Sequence, residues 1–151
     1  MVSPSSLDAA RATSVYRVRV RFCEADLMGI VHHAAYVPYL EAARVHWMRR
    51  RGVTYATWVG RGRHLAVVET GLRYRAPARF DDVLAIHTRL TEVRHASMRF
   101  EYEIRRDADL LTTAFTRLAC LDDRAGLVRI DDEALAVLTA GELAEAPGEL
   151  P

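Results

Sequence analysis

From Val15 to Phe22 apolar and charged side chains alternate, with Val18, Val20 and Phe22 on one side and Arg17, Arg19 and Arg21 on the other. That is the period of a half-buried strand. At about Ala35 the period changes. Tyr36, Leu40, Ala43 and Trp47 recur at helical spacing toward Arg51, and Gly52 stands where a C-terminal cap is expected. The arginines at 49–51 suit the negative end of that helix. Pro38 has to fall in the first turn, because deeper in it would remove a hydrogen bond and clash with the preceding turn, so regular helix is expected from near Tyr36. Residues 54–59 predict a further helical turn or two before the GRGR loop at 60–63.

The pattern then returns to period two. Residues 64–74, 82–93, 97–106 and 110–121 are rich in β-branched, aromatic and alternating positions, and APARFDD, RHA and RDAD between them carry turn chemistry. DDRAG leads into an expected short strand at 127–130, and Asp131, Asp132 and Glu133 open a last helix to about Thr139, with Gly141 after it. The strand spacing from residue 64 onward leaves no room for crossover helices. The expected class is therefore α+β, an antiparallel sheet of five or six strands wrapped around one long central helix. One domain at 14–140 is predicted, with a disordered start at 1–13 and a disordered acidic tail at 141–151.

Composition narrows the chemistry. A chain of 151 residues is one domain. All 21 basic residues are arginine, so a lysine Schiff base or lysine general base is excluded. Arginine at this density reflects either a compositional bias or phosphate recognition. A net charge of +1 goes with no nucleic-acid partner. Cys23 and Cys120 form no CxxC pair, which argues against a zinc or disulfide framework and for a reducing compartment. No window approaches a membrane span, and the N-terminus lacks a signal-peptide pattern, so a cytoplasmic protein is expected.

The chemistry-bearing residues crowd between the first strand and the long helix: Glu24, Asp26, Gly29, His32 and His33. A helix N-terminus offers free N–H groups and a positive dipole end, an arrangement suited to an oxyanion. Asp26 reads either as nucleophile or general base, or as a cap for the turn at Gly29. Gly29 permits a tight bend. His32 and His33 could hold a metal with Glu24 or Asp26, but adjacent side chains diverge and no HExxH spacing exists, so no metal is expected. One histidine lining a pocket is the simpler reading, with Glu24 either tuning Asp26 as a like charge or exposed. Cys23 reads as a packed residue rather than a nucleophile, and no GxSxG elbow is present. Tyr36 and Trp47 read as core. Glu41 reads as solvated or interfacial, with a pocket carboxylate as the alternative. Arg94 and His95 read equally as a phosphate grip or a solvated turn.

Taken together, VYRVRVRF, the E-x-D-x-x-G-I-V-x-H-x-x-Y run ending at Tyr36, Y-x-x-P-A-x-F-D-D from Tyr74 and E-V-R-x-x-S from Glu92 resemble the hotdog-fold 4-hydroxybenzoyl-CoA thioesterase family and its bacterial acyl-CoA thioesterase relatives. The resemblance implies Asp26 as nucleophile or general base, near Gly29, and the backbone N–H of His33 polarising the thioester carbonyl. It implies Arg94 and His95 near the coenzyme A phosphates; His32 and Tyr36 are expected at the substrate from their place beside this cluster. It also implies no cofactor and a homodimer or homotetramer with shared sites. Ala35 stands where the family usually has asparagine. The activity implied is hydrolysis of an acyl or aroyl CoA thioester. Release of acyl chains from an acyl carrier protein and non-catalytic acyl-thioester binding are the alternatives. A hotdog dehydratase would need histidine at Val31.

Overall fold

The computed structural model describes residue 8 and residues 12–145. What was expected of 1–7, 9–11 and 146–151 lies outside the described residues. Strand β1 (Thr13–Arg19) is followed by helix α1 (Tyr36–Arg49), short helix α2 (Tyr55–Gly60) and strands β2 (His64–Tyr74), β3 (Val83–Val93), β4 (Ser97–Arg106) and β5 (Asp109–Leu121), then helix α3 (Asp132–Leu138). The strands form one sheet in the order β1-β3-β4-β5-β2, antiparallel at every pairing. The α+β arrangement holds, with five strands in the named sheet.

Alternation decides which face of the sheet meets the helix. Leu84, Ile86 and Leu90 of β3, Met98, Phe100 and Ile104 of β4, and Leu118 of β5 are buried with Leu40, Ala43 and Trp47 of α1. Each such side chain contributes about 1.5–3 kcal/mol through burial. Trp47 meets Phe100 edge-on at 4.9 Å, and its Nε1 donates to the carbonyl of Ala12 at 2.8 Å. Arg51 lies over the Trp47 ring at 3.7 Å and donates to Ser14 Oγ at 2.7 Å. Burial lowers its pKa to about 10. Gly52, at φ +80°, closes the helix end, a left-handed conformation natural to glycine.

Three expectations need correction. The first strand stops at Arg19 rather than Phe22, because Val20 bonds Asp81 and Asp82 and residues Phe22–Glu24 turn into a 3-10 helix. Val20 is buried as the alternation required, but Phe22 is 82% exposed and Cys23 is exposed. Residues 127–130 form a single bridge, Leu121 with Leu127, and no strand. Asp122 Oδ1 accepts from Arg124 N and Gly126 N, curling the chain, and Ile130 N turns away to His95 O. Residues at the inner edges of the two end segments are held in place. Thr13 pairs with Arg89 in the sheet, while Leu143 N donates to Arg50 O at 2.8 Å and Glu142 pairs with Arg50 at 3.2 Å.

Candidate active site

The segment between β1 and α1 folds back as a miniature ladder. Ala25 bridges Val31, and Ile30 bridges Arg79 of the β2–β3 turn. Asp26 N donates to Ile30 O at 2.9 Å, His32 N to Glu24 O at 2.8 Å, and Val31 N to Ala78 O at 2.8 Å. Gly29 permits the reversal: its φ is +75° and its N–H reaches Asp26 O at 2.9 Å. The fold-back carries Asp26 to the mouth of α1. Asp82 secures the β2–β3 turn by accepting from Arg79 N at 2.8 Å and Arg106 Nη1 at 2.7 Å. Burial raises the Asp82 pKa, but these bonds and the nearby guanidinium groups outweigh it and hold the carboxyl below its ordinary value.

A cavity of about 370 Å³ opens there, lined by Asp26, Ile30, Val31, His33, Tyr36 and Tyr74 and closed by Arg75, Ala76 and Pro77. Asp26 is partly exposed, and its Oδ1 accepts from Met28 N at 2.8 Å. Its Oδ2 makes no hydrogen bond among the described residues. Turn capping thus engages one oxygen of this side chain and leaves the other without a hydrogen bond among the described residues. A short 3-10 turn, His33–Ala35, precedes α1. Within it Ala35 N bonds His32 O and Ala34 N bonds His32 Nδ1, whereas the His33 N–H has no hydrogen bond among the described residues. His33 O accepts from Tyr74 Oη at 2.9 Å, which ties the turn to the end of β2.

The predicted residues divide cleanly. Asp26, His33 and Tyr36 line the cavity together, and Gly29 shapes the loop. Tyr36 is only 2% exposed, so it serves the core and the cavity floor at once, and burial raises its pKa. His32 is an N-cap at the surface and does not line the cavity. Arg94 and His95 sit in the β3–β4 turn, exposed, with Arg94 paired to Glu92. That turn lies at the far end of the 11-residue strand β3 from the Val83 end, roughly 35 Å of strand at about 3.3 Å per residue. Among the described residues no cluster could hold a metal ion. Ala35 leaves the place of the family amide without a polar side chain.

Glu24 departs from both of its sequence readings. It is buried, accepting from Tyr39 Oη at 2.5 Å, Arg21 N at 2.8 Å and Arg21 Nε at 2.9 Å. Burial raises its pKa, but the hydrogen bonds from Tyr39 and Arg21 win and the carboxyl titrates below its ordinary value. Burial and the same carboxylate push the Tyr39 hydroxyl well up. No local pattern in the sequence marks Tyr39, because its partner lies 15 residues away. A larger concavity, about 660 Å³, lies on the other face of the sheet, among Arg73, Arg89, Arg99, Glu101 and Phe115. It contains none of the residues predicted for chemistry.

Residues 20–147 match the thioesterase-like superfamily. The acyl-CoA thioesterase YbgC of Haemophilus influenzae is 32% identical over 108 residues, 71% of this chain and 79% of that protein. The acyl-CoA thioester hydrolase YbgC of Escherichia coli is 33% identical over 113 residues, 73% of this chain and 84% of that protein. Among solved structures, protein TT1821 from Thermus thermophilus superposes with a TM-score of 0.80 at 41% identity, covering 87% of this chain and 98% of that one. The free amide and tethered carboxylate thus sit in a fold shared with thioester hydrolases, and the chain belongs to the thioesterase-like superfamily of hotdog-fold enzymes.

Proposed function

We propose that this protein hydrolyses acyl-CoA thioesters, acyl or aroyl, to the free acid and coenzyme A, using Asp26 and the His33 amide. The observation that carries the reading is that Asp26, with its Oδ2 unbonded, and His33, with its N–H unbonded among the described residues, line one cavity at the start of α1. Thioester hydrolysis needs both parts. A carboxylate attacks the carbonyl carbon, or deprotonates a water that does, and a preorganised donor stabilises the oxygen that becomes an anion. Collapse of the tetrahedral intermediate expels the coenzyme A thiolate. If Asp26 is the nucleophile, water then cleaves the resulting anhydride.

The shared site belongs to this reading. β2 is an edge strand of the sheet, with Val67 and Val68 exposed on it, so a second copy can extend the sheet there. The remoteness of Arg94 and His95 from Asp26 in one chain supports their serving the site of a partner subunit, where they would meet phosphate. Cys23 and Cys120 as free thiols support a reducing, cytoplasmic setting. No helix among the described residues is long and apolar enough to cross a membrane.

The test is Asp26→Asn assayed by thiol release from short, long and aromatic CoA esters. Turnover should fall roughly 10²–10⁴-fold with melting temperature and oligomer mass retained. Full activity in this variant would refute the assignment.

A further inference from the structure

The cavity lining includes an arginine that the thioesterase reading does not use. Arg75 is the first residue beyond β2, where the chain leaves the ladder: Arg75 N and Ala76 N both donate to Leu111 O, at 2.8 and 3.1 Å. The loop start is thereby fixed, and Arg75 is among the residues that line the same cavity as Asp26, His33 and Tyr36. It makes no ion pair or side-chain hydrogen bond among the described residues. Other arginines of the sheet and its turns are engaged: Arg19 pairs with Asp81, Arg106 with Asp82 and Arg117 with Glu69. Asp26, which shares the cavity, is not its partner, since no Asp26 oxygen lies within ion-pair distance of any arginine among the described residues.

We propose that Arg75 is a specificity residue that binds a carboxylate carried by the acyl group, so that the preferred substrates are CoA monothioesters of dicarboxylic acids. The proposal rests on the thioesterase reading above. Its logic is positional. Asp26 and the His33 amide act at the carbonyl carbon, and a cavity of about 370 Å³ shared with them accommodates an acyl chain rather than a nucleotide. The pantetheine arm carries the CoA phosphates its whole length away from the sulfur. An anion meeting Arg75 beside the reacting centre is therefore on the acyl side. A planar guanidinium can grip a carboxylate through two parallel hydrogen bonds, and it would offset the charge that an acyl carboxylate brings near Asp26. Tyr74, the neighbouring polar side chain, has its hydroxyl committed to His33 O.

The experiment compares adipoyl-CoA with hexanoyl-CoA, equal in carbon number and differing in the terminal charge. Wild-type protein should show the higher kcat/KM on adipoyl-CoA. Arg75→Gln should lose roughly 10- to 100-fold on adipoyl-CoA, the worth of a charge-assisted pair, and stay within about twofold on hexanoyl-CoA. Arg73→Gln removes the same charge two positions earlier, at a residue that lines the larger concavity instead, and should leave the ratio unchanged. Adipoyl-pantetheine, which lacks the phosphates, separates the two sources of anion. If the Arg75→Gln loss persists on it, the acyl carboxylate is the ligand. If the loss vanishes, or falls equally on hexanoyl-CoA, Arg75 grips phosphate or shapes the pocket and the proposal is overturned. A wild-type enzyme that hydrolyses hexanoyl-CoA without preferring adipoyl-CoA also overturns it and leaves the thioesterase reading intact. Hydrolysis of neither ester nor of an aromatic one overturns both.

Discussion

Tyr39→Phe removes one hydroxyl from the buried bond that ties the Asp26 loop to α1. Tyr39 is 3% exposed and Glu24 9%, so water cannot replace the lost donor without a rearrangement. Oε2 of Glu24 keeps the Arg21 N–H at 2.8 Å, and Oε1 keeps the Arg21 guanidinium at 2.9 Å. The loss is therefore one charge-assisted bond, about 1.5–3 kcal/mol. In a domain of this size that lowers Tm by roughly 3–12 °C. The pH dependence gives the sharper check. Glu24 titrates below its ordinary value of 4.5 in the folded protein, so its contribution is fully present above that value and is lost as pH falls through the folded one. The gap in Tm between wild type and Tyr39→Phe, measured calorimetrically, should be widest near pH 7 and narrow below about pH 4. A gap that is absent at pH 7, or as wide in acid as at neutrality, refutes the argument that an ionised Glu24 anchors this loop.

Gly29→Ala meets no obstruction, because its Cβ would lie 3.8 Å from Arg79 Nη1, so the penalty is that of φ +75° alone, about 1–2 kcal/mol; Gly29→Asn should cost less, and thiol-release assays should show turnover falling more for alanine than for asparagine. Gly71→Ala would place a Cβ 2.4 Å from Phe115 Cε1, in a ring already held under Arg99 at 4.0 Å, and should destabilise by about 1–3 kcal/mol; in a Phe115→Ala background the same change should become neutral or favourable, as denaturant melts of the double-mutant cycle will read.

Elements with a clean period were legible in the sequence, and elements governed by contacts across the chain were not. The stripe of Tyr36, Leu40, Ala43 and Trp47 located α1, and the start near Tyr36 followed from Pro38 alone. Strands β2 and β4 begin and end where alternation and turn residues put them. Phe22 failed because alternation does not reveal where a ladder ends. Its place beyond β1 is set by Val20 bonding Asp81 and Asp82, more than sixty residues along. The strand expected at 127–130 failed for a related reason: Asp122 spends its side chain on local amides and bends the chain out of pairing range.

The site divides in the same way. Asp26, Gly29 and His33 could be grouped from sequence because the fold-back joining them spans only a few residues, and its glycine marks the reversal. Glu24 could not be read correctly, since an acid two positions from Asp26 looks like a competing charge until Tyr39 and Arg21 are seen to enclose it. Arg75 carried no signal at all. It stands between a strand and a turn, and only the arrival of the 24–33 loop across from it makes a cavity of that junction. Local pattern thus accounts for the groups that would act on a thioester carbonyl, a chemistry common to many substrates. The cation that would distinguish one acyl group from another is placed by tertiary structure, at a junction outside the helix and the loop proposed to carry the reaction.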